Sequence, residues 1–283
     1  MSVIPLGRSS VRSERLRAAG RSARLLAGLV IVGFWVICAL FGERIAPMDP
    51  YADHLLATLE PPSALHWFGT DQLGRDIFSR VMVGARDILT VAPLATLLGT
   101  LLGAALGLVV GYFRGVVDDV VSRLIEAVQA LPLVIVALMV LAAVGTSNLA
   151  VIMVIGFVFT PLIARTVRSA VLIESSLDYV AAAHLRGEGA LSIMFEEILP
   201  NVMPLILVET TVRFGYAIFF VASLSFIGFG IQPPSADWGI AVSENYSLIG
   251  SYWWTVIFNA LATASLGGGG NMAADGLQSV LQE

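Results

Sequence analysis

The sequence predicts an all-α integral membrane protein with about six transmembrane helices, and three observations carry that reading. Of its 283 residues 57% are hydrophobic and 13% are charged, whereas a soluble domain typically carries about 25% charged residues. The apolar residues come in long blocks without any charge: Leu25 to Gly42, Ile88 to Phe113, Ala127 to Ala164 and Phe214 to Ala236. A bilayer core of about 30 Å needs roughly 20 apolar helical residues to cross it. The arginines, finally, are unevenly placed: Arg8, Arg12, Arg15, Arg17, Arg21 and Arg24 precede the first block, against the single acid Glu14. That bias sets residues 1–24 in the cytoplasm by the positive-inside rule.

Each span then follows in order. The first apolar run is longer than a secretory h-region and no A-x-A site follows, so residues 25–42 are read as a retained first helix, about Leu25–Phe41. Residues 43–87 form an extracytoplasmic segment holding Glu43, Asp49, Asp53, Glu60, Asp71, Asp76 and Asp87. A helical core over 88–276 begins with helix 2 (Ile88–Tyr112) and helix 3 (Leu124–Val144). Gly145-Thr146-Ser147-Asn148 supplies the turn before helix 4 (Leu149–Thr166). Helix 5 covers Val202–Phe229 and is expected to stop at Gly230 and Pro233-Pro234. Helix 6 starts near Trp253, beside an outer aromatic belt of Tyr246, Tyr252, Trp253 and Trp254. Its stretch Trp253–Leu266 spans only about 21 Å, so it is expected to continue as helix through Gly267–Gly270 rather than break there. An even number of spans leaves residues 277–283 as a cytoplasmic tail.

The chemistry the chain lacks narrows its function. All sixteen basic residues are Arg, so a P-loop lysine is missing and a Schiff-base lysine too. ATP hydrolysis, if the protein depends on it, therefore belongs to another subunit, and no cofactor is expected in this chain. Cys38 is alone, which excludes an internal disulfide. His54, His66 and His184 are scattered, and Gly69–Asp76 has too few carboxylates at calcium-loop spacing, so no metal site and no catalytic set are expected. Gly145-Thr146-Ser147-Asn148 lacks the closing glycine of a G-x-S-x-G elbow. A self-sufficient secondary transporter would show inverted repeats, and none is visible. Nothing points to nucleic acid.

The longest cytoplasmic loop, Arg165 to Pro200, is patterned. Ser175-Ser176-Leu177-Asp178 suits a helix start, and the spacing predicts a short helix over Tyr179–Arg186 with Tyr179, Ala182, Ala183 and Arg186 on one face. Gly187 suits a left-handed cap. A second helix carries Leu191, Met194, Phe195, Ile198 and Leu199 on one stripe and is expected to end at Pro200. Such a pair either lies on the membrane surface or docks in a partner's groove. Within helix 5, Glu209 and Arg213 stand four apart on one face. They are either a mutually satisfied pair that locks the bundle or groups lining a path.

These residues resemble a known family. Tyr179-Val180-Ala181-Ala182-Ala183, Gly187 and Ile198-Leu199-Pro200-Asn201 are similar to the EAA loop of bacterial ABC-importer permeases. His66-Trp67-Phe68-Gly69-Thr70-Asp71-Gln72-Leu73-Gly74-Arg75-Asp76 resembles the G-T-D-x-L-G-R-D signature of the peptide and nickel importer subfamily. Ser223 to Pro234, then Asp237-Trp238-Gly239, and Asp275-Gly276-Leu277-Gln278 resemble its helix 5 exit and closing segment. The resemblance implies a type I ABC-importer permease fold with a cytoplasmic coupling-helix loop over 168–200. It implies as partners a second homologous permease, two ATPase subunits or domains, an external solute-binding protein and the lipid bilayer. It makes Tyr179, Ala181, Ala182, Ala183, Gly187, Ile198, Leu199 and Pro200 the expected ATPase-coupling residues. Gly69, Thr70, Asp71, Gly74, Arg75 and Asp76 become an extracytoplasmic family motif. The implied cargo is di- or oligopeptide, with nickel or a nickel chelate as the alternative. Two departures stand out: Ala181 replaces the loop's namesake glutamate, and Gly267–Gly270 and Asn259 replace bulkier residues and proline in helix 6.

Overall fold

A computed structural model describes residues 23–282, so the expected cytoplasmic amino terminus lies outside the described residues as far as position 22. Among these residues the ordered elements are helical, and the only β-type pairing is an isolated bridge between Thr70 and Asp76. The helices are α1 (Ala23–Ile45), α2 (Ile77–Phe113), α3 (Gly115–Gln129), α4 (Leu133–Val144), α5 (Asn148–Glu174), α6 (Asp178–Leu185), α7 (Ala190–Ile227), α8 (Trp238–Asn245) and α9 (Trp254–Gln282). Helices α1, α2, α5 and α7 are each long and apolar enough to cross a membrane, and the bent pair α3–α4 raises the number to five. The 29-residue α9 is long enough at about 1.5 Å per residue. Its glycines, Asn259 and Asn271 dilute its apolar character.

The bundle is organised around α2 and α5. Gly99, Gly103, Gly107 and Gly111 recur every four residues, which places them in one row along α2. A Cβ at Gly103 would lie 2.7 Å from Ile163 Cβ, at Gly107 2.7 Å from the Ala164 carbonyl oxygen, and at Gly111 2.8 Å from Val171 Cβ. The two backbones therefore touch, the packing mode that membrane interiors use where no hydrophobic force draws helices together. Ile155, Ile163, Val167 and Val171 of α5 are completely buried there, as are Ala92 and Ala95 of α2. α7 lies against both, with Ala217, Ile218, Val221 and Leu224 inaccessible.

α9 remains one helix through Gly267–Gly270, as expected. The glycines are where its neighbours press closest: the Phe219 ring lies 2.5 Å from the Cβ position of Gly267, and Ile31 lies 2.7 Å from that of Gly269. Gly28 of α1 returns the contact, with Ala273 N 2.4 Å from its Cβ position. Trp35 of α1 donates from Nε1 to Ser265 Oγ at 2.9 Å.

Four sequence expectations need correction. The expected helix 3 is two helices meeting at 87°, because Pro132 has no N–H to donate and biases Leu131 away from helical angles. Helix 2 begins eleven residues early, at Ile77, because Asp76 caps it by accepting from Ser79 N at 2.8 Å. Its polar first turns hide that start from a reading based on apolar runs. The helix 5 stop falls at Gly228, φ +94°, where Phe229 N donates to Leu224 O. Pro200 does not end the second loop helix. A π-helical stretch over Ile193–Ile198 precedes it, with Leu199 N donating to Met194 O. That wider turn and the Asn201 side chain, which donates to Glu197 O at 3.0 Å, accommodate the missing N–H, so α7 runs unbroken from loop into membrane.

The α2–α5 seam gives a direct test. Gly103→Leu or Gly107→Leu should destabilise the purified protein in detergent by about 1–3 kcal/mol or more through overpacking. Gly33→Leu, whose Cβ position has nothing within 4 Å, should stay within about 0.5 kcal/mol. Thermal unfolding of the three variants decides it, and equal transitions would show that the seam does not hold the bundle.

Candidate functional site

Two polar constructions sit at opposite ends of α2, and a third lies between them on α7. The 37 residues of α2 extend about 55 Å, from the Gly69–Asp76 motif at its start to Tyr112 near its end. There the Tyr112 ring stacks at 6.1 Å on His184 of α6.

At the α6 end, Tyr179 is the node. Its hydroxyl donates to Glu174 Oε1 of α5 at 2.7 Å and accepts from Asn201 Nδ2 of α7 at 3.0 Å. Burial and the Glu174 carboxylate both raise the Tyr179 pKa, so the phenol stays a donor. One hydroxyl thus ties the α5 exit, the short helix and the α7 entry together. α6 itself starts at Leu177 without a side-chain cap, and the Ser176 hydroxyl instead donates back to Ile173 O. It closes on Gly187, φ +78°, with Glu188 N donating to Ala183 O and Gly187 N to His184 O, the left-handed cap expected there. Arg186 pairs with Glu188 at 2.6 Å and Glu197 at 3.1 Å, bracing the elbow.

The face α6 offers outward differs from the expected one. Ala183 and Val180 are buried against the rest of the chain, Tyr179 and Ala182 are half-buried, and Ile198 is inaccessible. Exposed are Ala181, His184 and Leu185, the last at 90%, and Leu177, Leu191 and Pro200 are exposed too. Leu199 is half-buried. The small residue at 183 therefore admits α6 to its own protein, and the presented surface is Ala181, His184 and Leu185.

At the other end the Gly69–Asp76 motif is a stapled corner. Gly69 and Gly74 take φ +77° and +75°, and a Cβ at Gly74 would lie 1.9 Å from His54 O. Thr70 Oγ1 accepts from Glu60 N and donates to Ala57 O. Asp71 accepts from Leu73 N, Arg75 N and Arg75 Nε, while Arg75 reaches Glu244 of α8 at 3.0 Å. Burial alone would lower the Arg75 pKa, but Asp71 and Glu244 outweigh it and raise it. Asp76 caps α2 and contacts His66 Nδ1 at 3.0 Å. Buried Arg80 donates to Pro50 O and Ser235 O, and Trp238, inaccessible, donates to Val81 O at 2.9 Å. Asp237, which caps α8 by accepting from Ile240 N, is pushed up to about 6 by burial first. A raised carboxyl favours the packed state when protonated, so that contribution fades as pH rises through about 6.

Between the ends, the Glu209–Arg213 pair forms as the spacing predicts. Arg213 Nε and Nη2 both reach Glu209 Oε1, at 2.7 and 2.6 Å, and the guanidinium lies 5.6 Å from the Tyr216 ring centre. Sequence reading missed other links. Arg168 of α5 grips Asp118 of α3 through two bonds, Nη2 to Oδ2 at 2.6 Å. Ser235 donates to Asp87 at 2.6 Å. Partners 50 or 148 positions apart leave no periodic signal. Among the described residues no group of histidines, cysteines and acids is placed to hold a metal ion.

Comparison with known proteins gives this architecture a family. The signature of the binding-protein-dependent transport system inner membrane component matches residues 103–281. The dipeptide transport system permease protein DppC of Bacillus subtilis (strain 168) is 36% identical over 276 residues, covering 96% of this chain and 85% of that protein. DppC of Escherichia coli (strain K12) is 39% identical over 267 residues, 92% of this chain and 89% of its own length. The probable D,D-dipeptide transport system permease protein DdpC of the same strain is 32% identical over 252 residues, 89% and 85% of the two chains. With four to five membrane-capable helices among its described residues and matched along nearly its whole length, the chain belongs to the binding-protein-dependent transport system inner membrane component family, as a multi-pass permease of the bacterial inner membrane.

Proposed function

We propose that this chain forms half of the translocation path of an ABC importer for di- or oligopeptides. An external solute-binding protein delivers the cargo, and a second, similar permease completes the path. Two ATPase subunits or domains, which carry the ATP and Mg, drive it from the cytoplasmic side, where both termini lie. The observation that carries the cargo is identity of 36–39% over more than nine-tenths of the chain to proteins named as dipeptide permeases. Those names favour peptide over nickel chelate. Uptake of a labelled dipeptide by a deletion strain carrying this chain, set against its nickel-dependent enzyme activity, tests the cargo.

Coupling is assigned to α6 and its elbow. A short helix that exposes Ala181 and Leu185 while anchored through Tyr179 to both α5 and α7 suits insertion in a partner's groove. The Gly69–Asp76 corner, braced to α8 through Arg75 and Glu244, suits a rigid platform for the binding protein outside.

Two outcomes are expected. Ala181→Arg and Leu185→Asp should leave the protein inserted and folded while weakening copurification with the ATPase and lowering uptake at least about tenfold, 1.4 kcal/mol of lost contact. Gly187→Val should do the same by straining the cap. Ala183→Arg should instead reduce the yield of folded protein, because position 183 is inside. Normal uptake by both outward variants would remove α6 as the docking element.

Topology is tested by single cysteines in a Cys38→Ser background. Positions Ser10, Ser192 and Gln282 should resist an impermeant thiol reagent in intact cells, and Ser63 should react. Labelling of Gln282 from outside would mean that α9 does not cross.

A further inference from the structure

One face of α7 carries more than an ion pair. Leu205, Glu209, Arg213, Tyr216, Phe220, Ser223 and Ile227 follow each other at three- and four-residue steps, so they form one stripe along the helix. The stripe is unevenly open: Leu205 is 38%, Tyr216 58% and Ile227 47% exposed and Ser223 is exposed too, whereas the Arg213 and Glu209 side chains among them are 20% and 13% exposed and Phe220 packs edge-on against Phe159 of α5. Glu209 lies about 10 Å and Arg213 about 16 Å beyond Val202, at a depth where an isolated charge is costly and must face protein or water. Among the described residues they pair with each other alone, apart from the Tyr216 ring. Asn271 of α9 lies against Gly215, exposed and without a hydrogen-bond partner among the described residues.

We propose that Glu209 and Arg213, flanked by Tyr216, form a transit site for a zwitterionic peptide, Glu209 receiving its ammonium group and Arg213 its carboxylate. The inference rests on the importer reading above and adds the cargo's charge requirement. One oxygen of Glu209 takes both bonds from Arg213. A carboxylate has about four acceptor sites and a guanidinium five donors, so the pair keeps capacity on both sides while satisfied. When the path is empty the two charges neutralise each other and no unpaired charge stands in the membrane. When a dipeptide arrives, its termini, about 7 Å apart if extended, replace one neutral pair by two without changing net charge. A cargo with one terminus capped satisfies one partner and leaves the other exposed to an apolar surround. The exchange is near balanced, which suits a site that must release what it binds.

The experiment uses the complete importer, with its binding protein and ATPase subunits, in proteoliposomes. Uptake of alanyl-alanine is compared with that of its N-acetyl and C-amide forms. The binding protein is the same in every arm, so its own preference cancels between variant and wild type. Glu209→Gln should lose at least about tenfold of the preference for free over N-acetylated peptide, and Arg213→Gln the same for free over amidated peptide. The double variant Glu209→Arg with Arg213→Glu keeps the mutual pair but inverts its order. It should assemble at wild-type yield and still transport free dipeptide at least about tenfold more slowly. Recovery of both yield and uptake in the inverted variant would show a bundle lock only and overturn the proposal, as would equal losses for free and capped peptides in the single variants. Should the charge variants fail to assemble, Tyr216→Leu at its exposed position decides: normal yield with free-dipeptide uptake reduced about fivefold or more, roughly 1 kcal/mol, supports the site, and unchanged uptake overturns it. A wild-type importer that takes up no free dipeptide overturns the cargo reading and this inference together. Wild-type uptake with unchanged free-to-capped ratios in the variants overturns the inference alone.

Discussion

Backbone contact between α2 and α5 is the constraint on which the remaining structure depends. In water, helices are pressed together by expulsion of solvent, but in hydrocarbon a leucine face gains nothing by leaving lipid for protein. The glycine row Gly99–Gly103–Gly107–Gly111 removes the side chains that would hold the two axes apart, and Ile163, Ala164 and Val171 fill the furrow. Once that pair is fixed, its common flank receives Ala217, Ile218 and Val221 of α7. The polar devices are then mounted on a stiff frame. The Asp71–Arg75–Glu244 corner stands at one end of α2, and the Tyr112–His184 contact at the other.

The same device recurs with α9. Gly267 and Gly269 meet Phe219 and Ile31, and Gly28 meets the α9 backbone. A glycine run that looks like a break on paper is thus a groove in three dimensions. Intrinsic propensity would penalise each glycine by about 1 kcal/mol in water. Inside a bundle the loss is offset by neighbours that would otherwise be held off.

Much of this was legible in the sequence, and what was not has physical reasons. Charge-free blocks marked the spans, Gly187 marked the elbow, and a four-residue spacing gave the Glu209–Arg213 pair, because each is a local signal. Pro132 was also present to be read, and the 87° break it makes was lost inside an apolar block too uniform to show a boundary. Ile77–Asp87 was missed for the opposite reason, since its charges look like loop while Arg80 is buried against Pro50 and Ser235 carbonyls. The direction of Ala183 could not come from α6 alone. An eight-residue helix with three consecutive alanines has no strong apolar side, and α5 and α7 decide which side turns in. Long-range partners such as Asp118 with Arg168 leave no trace at any fixed spacing.

Because the π-helical turn absorbs Pro200, the 38 residues from Ala190 to Ile227 run as one continuous helix about 57 Å long, unbroken at the interior Pro204 as well, from the loop to the far side of the membrane. A rod transmits tilt where a jointed chain would dissipate it. Pivoting α7 by about 5° at its loop end would displace the opposite end by roughly 5 Å, one helical turn, and would move the stripe bearing Glu209 and Arg213 by an intermediate amount. The hydroxyl of Tyr179, bonded to both α5 and α7, sits at the short arm of that lever, where a small push becomes a large stroke.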